Sequence, residues 1–313
     1  MNKKTSIGGQ AVIEGVMIRG QSRYVVSVRK NNKILAKKGS IGQKKFFLLR
    51  LPVFRGFVNL LDMAVIGIRS LMWSSEQASL QDGKEKNGVR KEKKQRMWAI
   101  LLPSIAIAVL FFVGLPYFLT SLLGIKEEAS PLLFNIVDGF VRIAIFVIYV
   151  VLISFMQDVR ILFQYHGAEH KAIHCYEKGE ELSVKNVRKF TTIHPRCGTS
   201  FLIIVFMISI AAFSLMPSII KYFFPGFISL NIWQRKSILV PLRILMIPLI
   251  AGISYEILKL SDIWQQSLFF RIISMPGLLL QSITTKEPDY KQIEVAINSV
   301  QELLKEEEKM KKK

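Results

Sequence analysis

Two short stretches are the most informative part of this chain: D-V-R-I-L-F-Q-Y-H-G-A-E-H-K-A-I-H-C-Y-E at 158–177 and T-T-I-H-P-R-C-G-T-S-F at 191–201. Together they hold all four histidines and both cysteines of the 313 residues. Long apolar segments lie on either side, so the region is predicted to be a loop between two membrane spans. We interpret this loop as a metal site held against the membrane surface.

The overall composition is that of a polytopic membrane protein. Half of the residues are apolar and the mean hydropathy is +0.33, yet the formal net charge is +20. A soluble domain rarely combines these properties, whereas a membrane protein with basic cytoplasmic parts does. The basic excess suits an anionic lipid surface and, equally, an RNA-rich partner. The start of the chain lacks the apolar core of a secretory signal peptide. Cysteines in a cytosolic loop favour thiols or metal ligands over a disulfide.

Four spans of about 20 residues are predicted, which is the length that a bilayer core requires. They lie near Met97–Leu123, Leu133–Gln157, Ser200–Tyr222 and Ile238–Leu260. Lysine and arginine are concentrated before the first span and in the His/Cys loop, so both termini and that loop are expected to be cytoplasmic. In the second span, Asp138 and Arg142 lie one helical turn apart and could form an ion pair.

The first 45 residues are expected to form a small soluble β unit. Tyr24–Val28 and Ile34–Ala36 flank an Asn-Asn pair, which is a hairpin signal. The preceding S-I-G-G-Q-A-V-I-E-G-V-M-I-R-G, residues 6–20, contains four glycines, which indicate tight turns or a close backbone approach. Glu14 and Arg19 are its ionisable groups. Composition alone favours a solvated turn with a local ion pair for them.

Residues 46–96 lack the composition of a regular membrane span. Charged side chains recur among the apolar ones at Arg50, Arg55, Asp62 and Arg69. This spacing favours an interfacial amphipathic helix, and an ordinary helix packed on the rest of the protein is the alternative. A polar, lysine-rich linker is predicted to complete this region.

The region after the fourth span is expected to stay on the cytoplasmic side. Ile263–Ile283 is apolar but interrupted by Pro276-Gly277, so it is predicted to be interfacial or re-entrant. The tail has the pattern of an amphipathic helix. The fold prediction is an all-α polytopic membrane protein with four transmembrane helices, a small N-terminal β unit and cytoplasmic amphipathic helices. The predicted units are 1–45, 46–96, 97–157, 158–199, 200–260 and 261–313.

The spacing of the histidines carries the chemical prediction. His166, His170 and His174 recur every four residues, so they form one stripe on a helix. Adjacent members can share a metal, but all three cannot, because His166 and His174 lie about 12 Å apart along the axis. A further ligand has to come from elsewhere, and His194 and Cys197 are the candidates. Imidazole and thiolate together favour zinc, whereas Fe²⁺ or Mn²⁺ more often binds a carboxylate. The predicted cofactor is therefore zinc or another divalent transition metal.

Glu169 makes the first histidine pair read H-x-x-E-H. This is the inverted zinc-protease pattern, in which a glutamate beside the metal activates water. The match is short, and no distant glutamate ligand can be assigned. Two other interpretations stay open: a closed structural zinc site that fixes the loop to the membrane, and histidines that bond phospholipid head groups or core partners. An open coordination position separates catalytic from structural zinc.

Several stretches together resemble the YqhQ-like family of bacterial integral membrane proteins. They are G-G-Q-A-V-I-E-G-V-M-I-R-G (8–20), Q-Y-H-G-A-E-H-K-A-I-H-C-Y-E (164–177), H-P-R-C-G-T-S-F (194–201), I-S-Y-E (253–256) and P-G-L-L-L-Q-S-I-T-T-K-E-P (276–288). The resemblance covers nearly the whole chain. It implies a protein of the bacterial cytoplasmic membrane and a predicted metal-dependent enzyme. The implied site residues are His166, Glu169, His170, His174, His194 and Cys197. It also gives Glu14 and Arg19 more weight than a solvated turn would.

The resulting functional prediction is a metal-dependent hydrolase that acts on a membrane peptide or a lipid-linked group. His170 and two further members of the His/Cys set would bind the metal, with Glu169 as general base. Arg19 or Arg196 would bind an anionic part of the substrate, and Glu14 is a further candidate. The alternative is a non-enzymatic membrane-protein biogenesis or assembly factor that docks on the ribosome or translocon, with zinc as a structural clip. A metal sensor or transporter is the weaker third possibility, because the spans carry few ligand-type residues.

Overall fold

The computed structural model describes residues 7–42, 47, 51–79, 103–104, 106–125, 127, 129–264 and 266–311. An antiparallel sheet comes first and a series of helices follows. The strands are β1 (Gly8–Val12), β2 (Gly15–Arg19), β3 (Arg23–Lys30) and β4 (Lys33–Ser40). The helices are α1 (Phe54–Ser79), α2 (Ala106–Leu122), α3 (Pro131–Ile153), α4 (Gln157–Lys178), α5 (Val184–Val187), α6 (Gly198–Phe223), α7 (Ile232–Ile263), α8 (Leu268–Thr284) and α9 (Tyr290–Lys311).

The prediction of an N-terminal β unit is confirmed, since the four strands form an antiparallel meander in chain order. The β3–β4 turn contains Asn31 and Asn32, both at positive φ, which asparagine tolerates better than most residues. In the β1–β2 turn Glu14 has a φ of 53°. The glycine-rich stretch is therefore a tight hairpin, in which Gly9 lies opposite Ile18.

Both faces of the two central strands, β2 and β3, are largely buried because helices cover each side of the sheet, whereas β4 is mostly exposed. Side chains alternate along a strand, so Val16 and Ile18 point to one face and Met17 points to the other. The first face packs on α4 and α9, and the second packs on α1 around Ile66. Ser299 of α9 also donates from its hydroxyl to two strand carbonyls at 3.0 and 3.2 Å. The last described helix thus holds the sheet in place.

Within the described ranges, four helices are long and apolar enough to cross a membrane: α1, α3, α6 and α7. The number matches the prediction, but one member differs. The described part of the predicted first span is α2, a shorter apolar helix, while residues 97–102 and 105 lie outside the described residues. The helix α1 qualifies although it was expected to be interfacial. Arg50 and the lysine-rich linker also lie outside the described residues.

The helix α1 packs on the rest of the protein, which was the alternative to an interfacial helix. Arg55 pairs with Glu256 of α7, and Asp62 pairs with Arg19 of β2. These charges therefore face protein partners. Between them α1 exposes an apolar face that includes Leu61. Contacts within the protein therefore explain the spacing of these charged residues as well as a membrane surface would.

The helix α8 crosses one end of the bundle formed by α3, α6 and α7. Leu280 packs with Val150 of α3 and Ile203 of α6. Pro276-Gly277 was expected to interrupt this segment, but the helix continues through both residues. A Cβ at Gly277 would lie 2.6 Å from the Cα of Ser200, so the glycine permits close packing of α8 on α6. We call this end of the bundle, where α4 also lies, the His/Cys end.

Candidate metal centre

The helix α4 presents the predicted histidine stripe on a largely buried helix. Its sequence supports the helix at both ends, because Asp158 lies in the first turn and Lys178 in the last, where they complement the helix dipole. Gly179 ends the helix with a φ of 80° in the left-handed region. The helix lies between the sheet and the turn at 190–197, so its buried side chains meet both.

Three predicted ligands converge at one point. Ligand atoms of His166, His170 and Cys197 all lie within 4.8 Å of one another, and we call these residues the first group. The Sγ atom of Cys197 lies 3.3 Å from Nε2 of His166. With Zn–N near 2.0 Å and Zn–S near 2.3 Å, a tetrahedral site places nitrogen and sulfur about 3.5 Å apart. The spacing therefore fits a shared zinc ion.

Backbone carbonyls fix the orientation of both histidines in the first group. The Nδ1–H of His166 donates to the carbonyl of Thr284 at 2.9 Å, and that of His170 donates to the carbonyl of Thr192. In these tautomers both Nε2 atoms are unprotonated and turned toward Cys197. Metal-binding histidines usually use their second ring nitrogen in this way. Burial also lowers the pKa of His170, which favours the neutral form that binds metals.

Glu169 lies directly beside the first group. Its Oε2 atom is 3.9 Å from Nε2 of His166 and 3.8 Å from Nε2 of His170, and the residue is only 3 % exposed. Burial raises the pKa of the Glu169 carboxyl, while a hydrogen bond from the backbone N–H of Gly9 opposes that shift. A Cβ at Gly9 would lie 2.7 Å from Oε1 of Glu169 and 2.7 Å from the carbonyl oxygen of Met17. The expected close backbone approach of the glycine-rich stretch is thus an approach to Glu169.

The other two histidines form a separate, second group with Glu177. Ligand atoms of His174, Glu177 and His194 lie within 4.8 Å of one another. The Nε2–H of His194 donates to Glu177 at 3.2 Å, and its Nδ1 accepts from the backbone N–H of Arg196 at 3.2 Å. Arg196 also pairs with Glu177. Since both ring nitrogens of His194 are occupied, the second group is a hydrogen-bonded network in this arrangement rather than a ready metal site.

Two predicted site residues of the β unit lie away from both groups. Arg19 faces α1, where its guanidinium is 3.9 Å from Asp62, on the opposite face of the sheet from α4. Glu14 accepts a hydrogen bond from the hydroxyl of Tyr165 at 3.2 Å. The structure therefore places Glu14 beside the site helix and Arg19 in a contact with α1. It brings neither into the first group.

Gln281 is a supporting residue that the sequence prediction did not include. It is fully buried, its Oε1 accepts from the N–H of His194 at 2.8 Å, and its Nε2 donates to the carbonyl of His194 at 2.9 Å and to Ser200 at 2.8 Å. This amide holds the turn that presents Cys197. The available signal was a polar residue within the apolar P-G-L-L-L-Q-S-I stretch. Cys175 is buried in the core between α4 and α9 and belongs to neither group.

A bundle of apolar helices that carries a buried histidine, cysteine and glutamate group at one end defines a class: helical proteins with the make-up of integral membrane proteins and a candidate metal centre. More particularly, the chain belongs to the family described as "Protein of unknown function (DUF1385)", whose model matches residues 51–306.

The relatives agree with the resemblance noted from the sequence. The chain is 30 % identical to "Uncharacterized protein YqhQ" of Bacillus subtilis (strain 168), and the alignment covers 95 % of this chain and 92 % of that protein. Membership of the YqhQ-like family is thereby confirmed. No solved structure matches the chain.

Proposed function

We propose that this membrane protein binds one zinc ion at His166, His170 and Cys197 and uses it to hydrolyse a membrane-associated substrate. The observation that carries the proposal is the shared direction of the two Nε2 atoms, which face Cys197 because carbonyls hold both Nδ1–H groups. A zinc ion there would act as a Lewis acid and would activate water. The donor set of two imidazoles and one sulfur suits zinc.

Glu169 has the position required of a general base. Its carboxylate is almost equally far from both Nε2 atoms, so it lies within reach of a water molecule at the centre. The N–H of Gly9 holds this carboxylate from the sheet side. On the other side Thr199 approaches the sulfur of Cys197 through its N–H at 3.5 Å and its hydroxyl at 3.2 Å. These contacts orient the base and the sulfur before a substrate arrives.

The surroundings of the centre support an apolar substrate. A cavity of about 560 Å³ lies beside the turn at 190–197, and its lining is mainly apolar. Ile193 and Pro195 form one wall, and Arg271 of α8 is the charged residue in the lining. An acyl or isoprenoid chain could occupy such a cavity, with the arginine near an anionic head group. This arrangement favours a lipid-linked group over a soluble metabolite.

Metal analysis of the purified wild type and two variants tests the zinc site. His170→Ala should remove the bound zinc, because it deletes one of three protein ligands. His174→Ala is the matched control: it deletes the next histidine of the same helix stripe, which lies outside the first group, and it should retain the metal. Equal zinc content in the wild type and His170→Ala, or equal loss in both alanine variants, would contradict the site.

Glu169→Gln tests the hydrolytic role. At saturating zinc the variant should remain folded and metal-loaded but lose hydrolysis, which can be followed by mass spectrometry of membrane lipid and peptide extracts incubated with the protein. General bases typically contribute a factor of about 10² to 10⁴, so the loss should be of that order. A wild-type protein that loads zinc and changes no component relative to Glu169→Gln would refute the enzyme.

The burial of the site favours a second candidate, a closed structural zinc site. His170, Glu169 and Cys197 are 2, 3 and 7 % exposed, and a glutamate that binds the metal directly would complete four protein ligands. In that case Glu169→Gln should lose zinc and stability together. Such a site would suit the predicted assembly factor, in which the metal fixes the loop and the basic surface contacts the ribosome or translocon.

A further inference from the structure

A polar cavity of about 220 Å³ lies at the end of the helix bundle opposite the His/Cys end. Asp138 lines this cavity. At a rise of 1.5 Å per residue it lies about 22 Å from Ile153, the last residue of α3, which is at the His/Cys end. The cavity is formed by α2, α3, α7 and the segment before α3. Its charged lining residues are Glu127, Asp138, Arg142, Lys236 and Arg243. Ionisable groups inside apolar helices are costly, and they usually mark a binding or transport site.

Neighbouring side chains provide hydrogen-bond partners for only some of the polar atoms in this lining. Arg142 donates to Oδ2 of Asp138 at 2.8 Å, as the spacing of the two residues predicted. Arg243 donates to Asn135 at 3.0 Å and lies 3.8 Å from Glu127. Three buried atoms have no hydrogen-bond partner among the described residues: Oδ1 of Asp138, Nε of Arg142 and Nε of Arg243. Asp138 lines the cavity and is only 8 % exposed, and its free oxygen is shielded from bulk solvent.

The unpaired atoms define the chemistry of a ligand that would fit this cavity. Two guanidinium N–H groups need acceptors, whereas the carboxylate oxygen of Asp138 needs a donor. The five charged groups sum to one positive charge, so an anion balances them. An anion that also donates a hydrogen bond is a protonated oxyanion. A phosphate group that retains one proton fits this description, while sulfate, which carries no proton at neutral pH, would meet Asp138 with two like charges.

We propose that this cavity binds a protonated phosphate group, with Arg142 and Arg243 donating to its oxygens and Asp138 accepting from its P–OH. The phosphate could come from free inorganic phosphate or from a lipid with a phosphomonoester head group, since both present the same atoms. A phosphodiester lacks the proton and is excluded by the same carboxylate. This selectivity arises because a ligand without that proton would leave the buried carboxylate of Asp138 without a hydrogen-bond donor.

Isothermal titration calorimetry of the full chain, in detergent and a phosphate-free buffer, tests the proposal. The wild type should bind inorganic phosphate saturably and at least about tenfold more tightly than sulfate, because one charge-assisted hydrogen bond separates the two anions. Asp138→Asn should narrow or reverse that preference, since an amide can donate to sulfate. Arg243→Gln should weaken phosphate binding at least about tenfold, and Arg243→Lys tests whether the charge without the guanidinium suffices.

Lys221→Gln is the matched control. Lys221 is an exposed cation in the last turn of α6, at the same end of the bundle as the cavity, and it does not line the cavity. It should leave phosphate binding unchanged. Nanodiscs of phosphatidylcholine with and without phosphatidic acid distinguish the lipid from the free anion, because only a lipid ligand would make phosphate binding competitive with phosphatidic acid.

Two results would overturn the inference. One is the absence of binding of both phosphate and phosphatidic acid to folded wild-type protein. The other is equal affinity for phosphate and sulfate in the wild type, a comparison that needs no variant and is therefore unaffected by any folding defect.

Discussion

Replacing Gly9 with alanine should disturb the proposed metal centre although Gly9 is not one of its proposed ligands. The added methyl group would meet Oε1 of Glu169 at 2.7 Å, Cγ of Glu169 at 2.8 Å and the carbonyl oxygen of Met17 at 2.7 Å. The carbonyl belongs to the paired strand β2, so it cannot retreat without loss of the β1–β2 ladder. The overlap with Glu169 can be relieved if that side chain moves, which would shift the carboxylate that lies beside the first group.

The overlap sets the size of the effect. A Cβ contact normally begins near 3.4 Å, so atoms on both sides must separate by about 0.7 Å, and overpacking of this kind costs about 1–3 kcal/mol of folding free energy. Losing a residue that orients a metal site typically lowers metal affinity by about 10- to 100-fold. We therefore expect Gly9→Ala to lower zinc affinity by a factor in that range, with a folded protein.

The assay is a competition titration with a chromophoric zinc chelator, together with thermal unfolding with and without zinc. Gly8→Ala is the matched control, because a Cβ at Gly8 has nothing within 4 Å and its φ is not positive. It should leave zinc affinity unchanged and stabilise the fold by up to about 1 kcal/mol, since alanine has less backbone freedom to lose. Indistinguishable zinc affinities for the two variants would refute the link between the glycine strand and the centre.

Two further predictions concern the elements that support the site. Gln281→Leu should leave the N–H and C=O of His194 without partners, at a cost of about 1–3 kcal/mol for each group, whereas the neighbouring, exposed Ser282→Ala should be nearly neutral in thermal unfolding. Hydrogen bonds from Lys305 and then Lys38 lower the pKa of Glu302 from 4.5 to about 2. Because this folded-state pKa is depressed, the stabilisation is complete above pH 4.5 and is lost as the pH falls toward 2; hydrogen exchange of α9 should accelerate over that range, and less so in Lys305→Met.

Much of the architecture was accessible from periodicity and composition. Three of the four long apolar helices (α3, α6 and α7), the β3–β4 hairpin and the stripe on α4 follow from local pattern. The separation of His166 from His174 follows from helical rise, and the structure places them in different groups. These features depend on neighbours in sequence or on regular repeats, which is why the sequence alone can predict them.

Other parts of the site depend on contacts between distant segments. The sequence left open which of His194 and Cys197 joins the helix histidines, because both lie on one turn; the three-dimensional course of that turn sends only Cys197 to the first group. Glu14 and Arg19 share a motif. However, side chains alternate along β2 and helices cover both of its faces, so Arg19 points toward α1. The charges of α1 suggested a membrane surface, whereas two of them have partners within the protein.

The packing of α9 on the sheet has a consequence for the order in which the molecule assembles. Ser299 bonds the strands near Val16, and Glu307 accepts hydrogen bonds from the N–H groups of Ser22 and Arg23, so the earliest and latest described elements depend on each other. During translation the hairpins have to wait, with one apolar face uncovered, until nearly all of the chain has been made. Ribosome-bound chains that stop before residue 290 should therefore expose β2 and β3 to proteases.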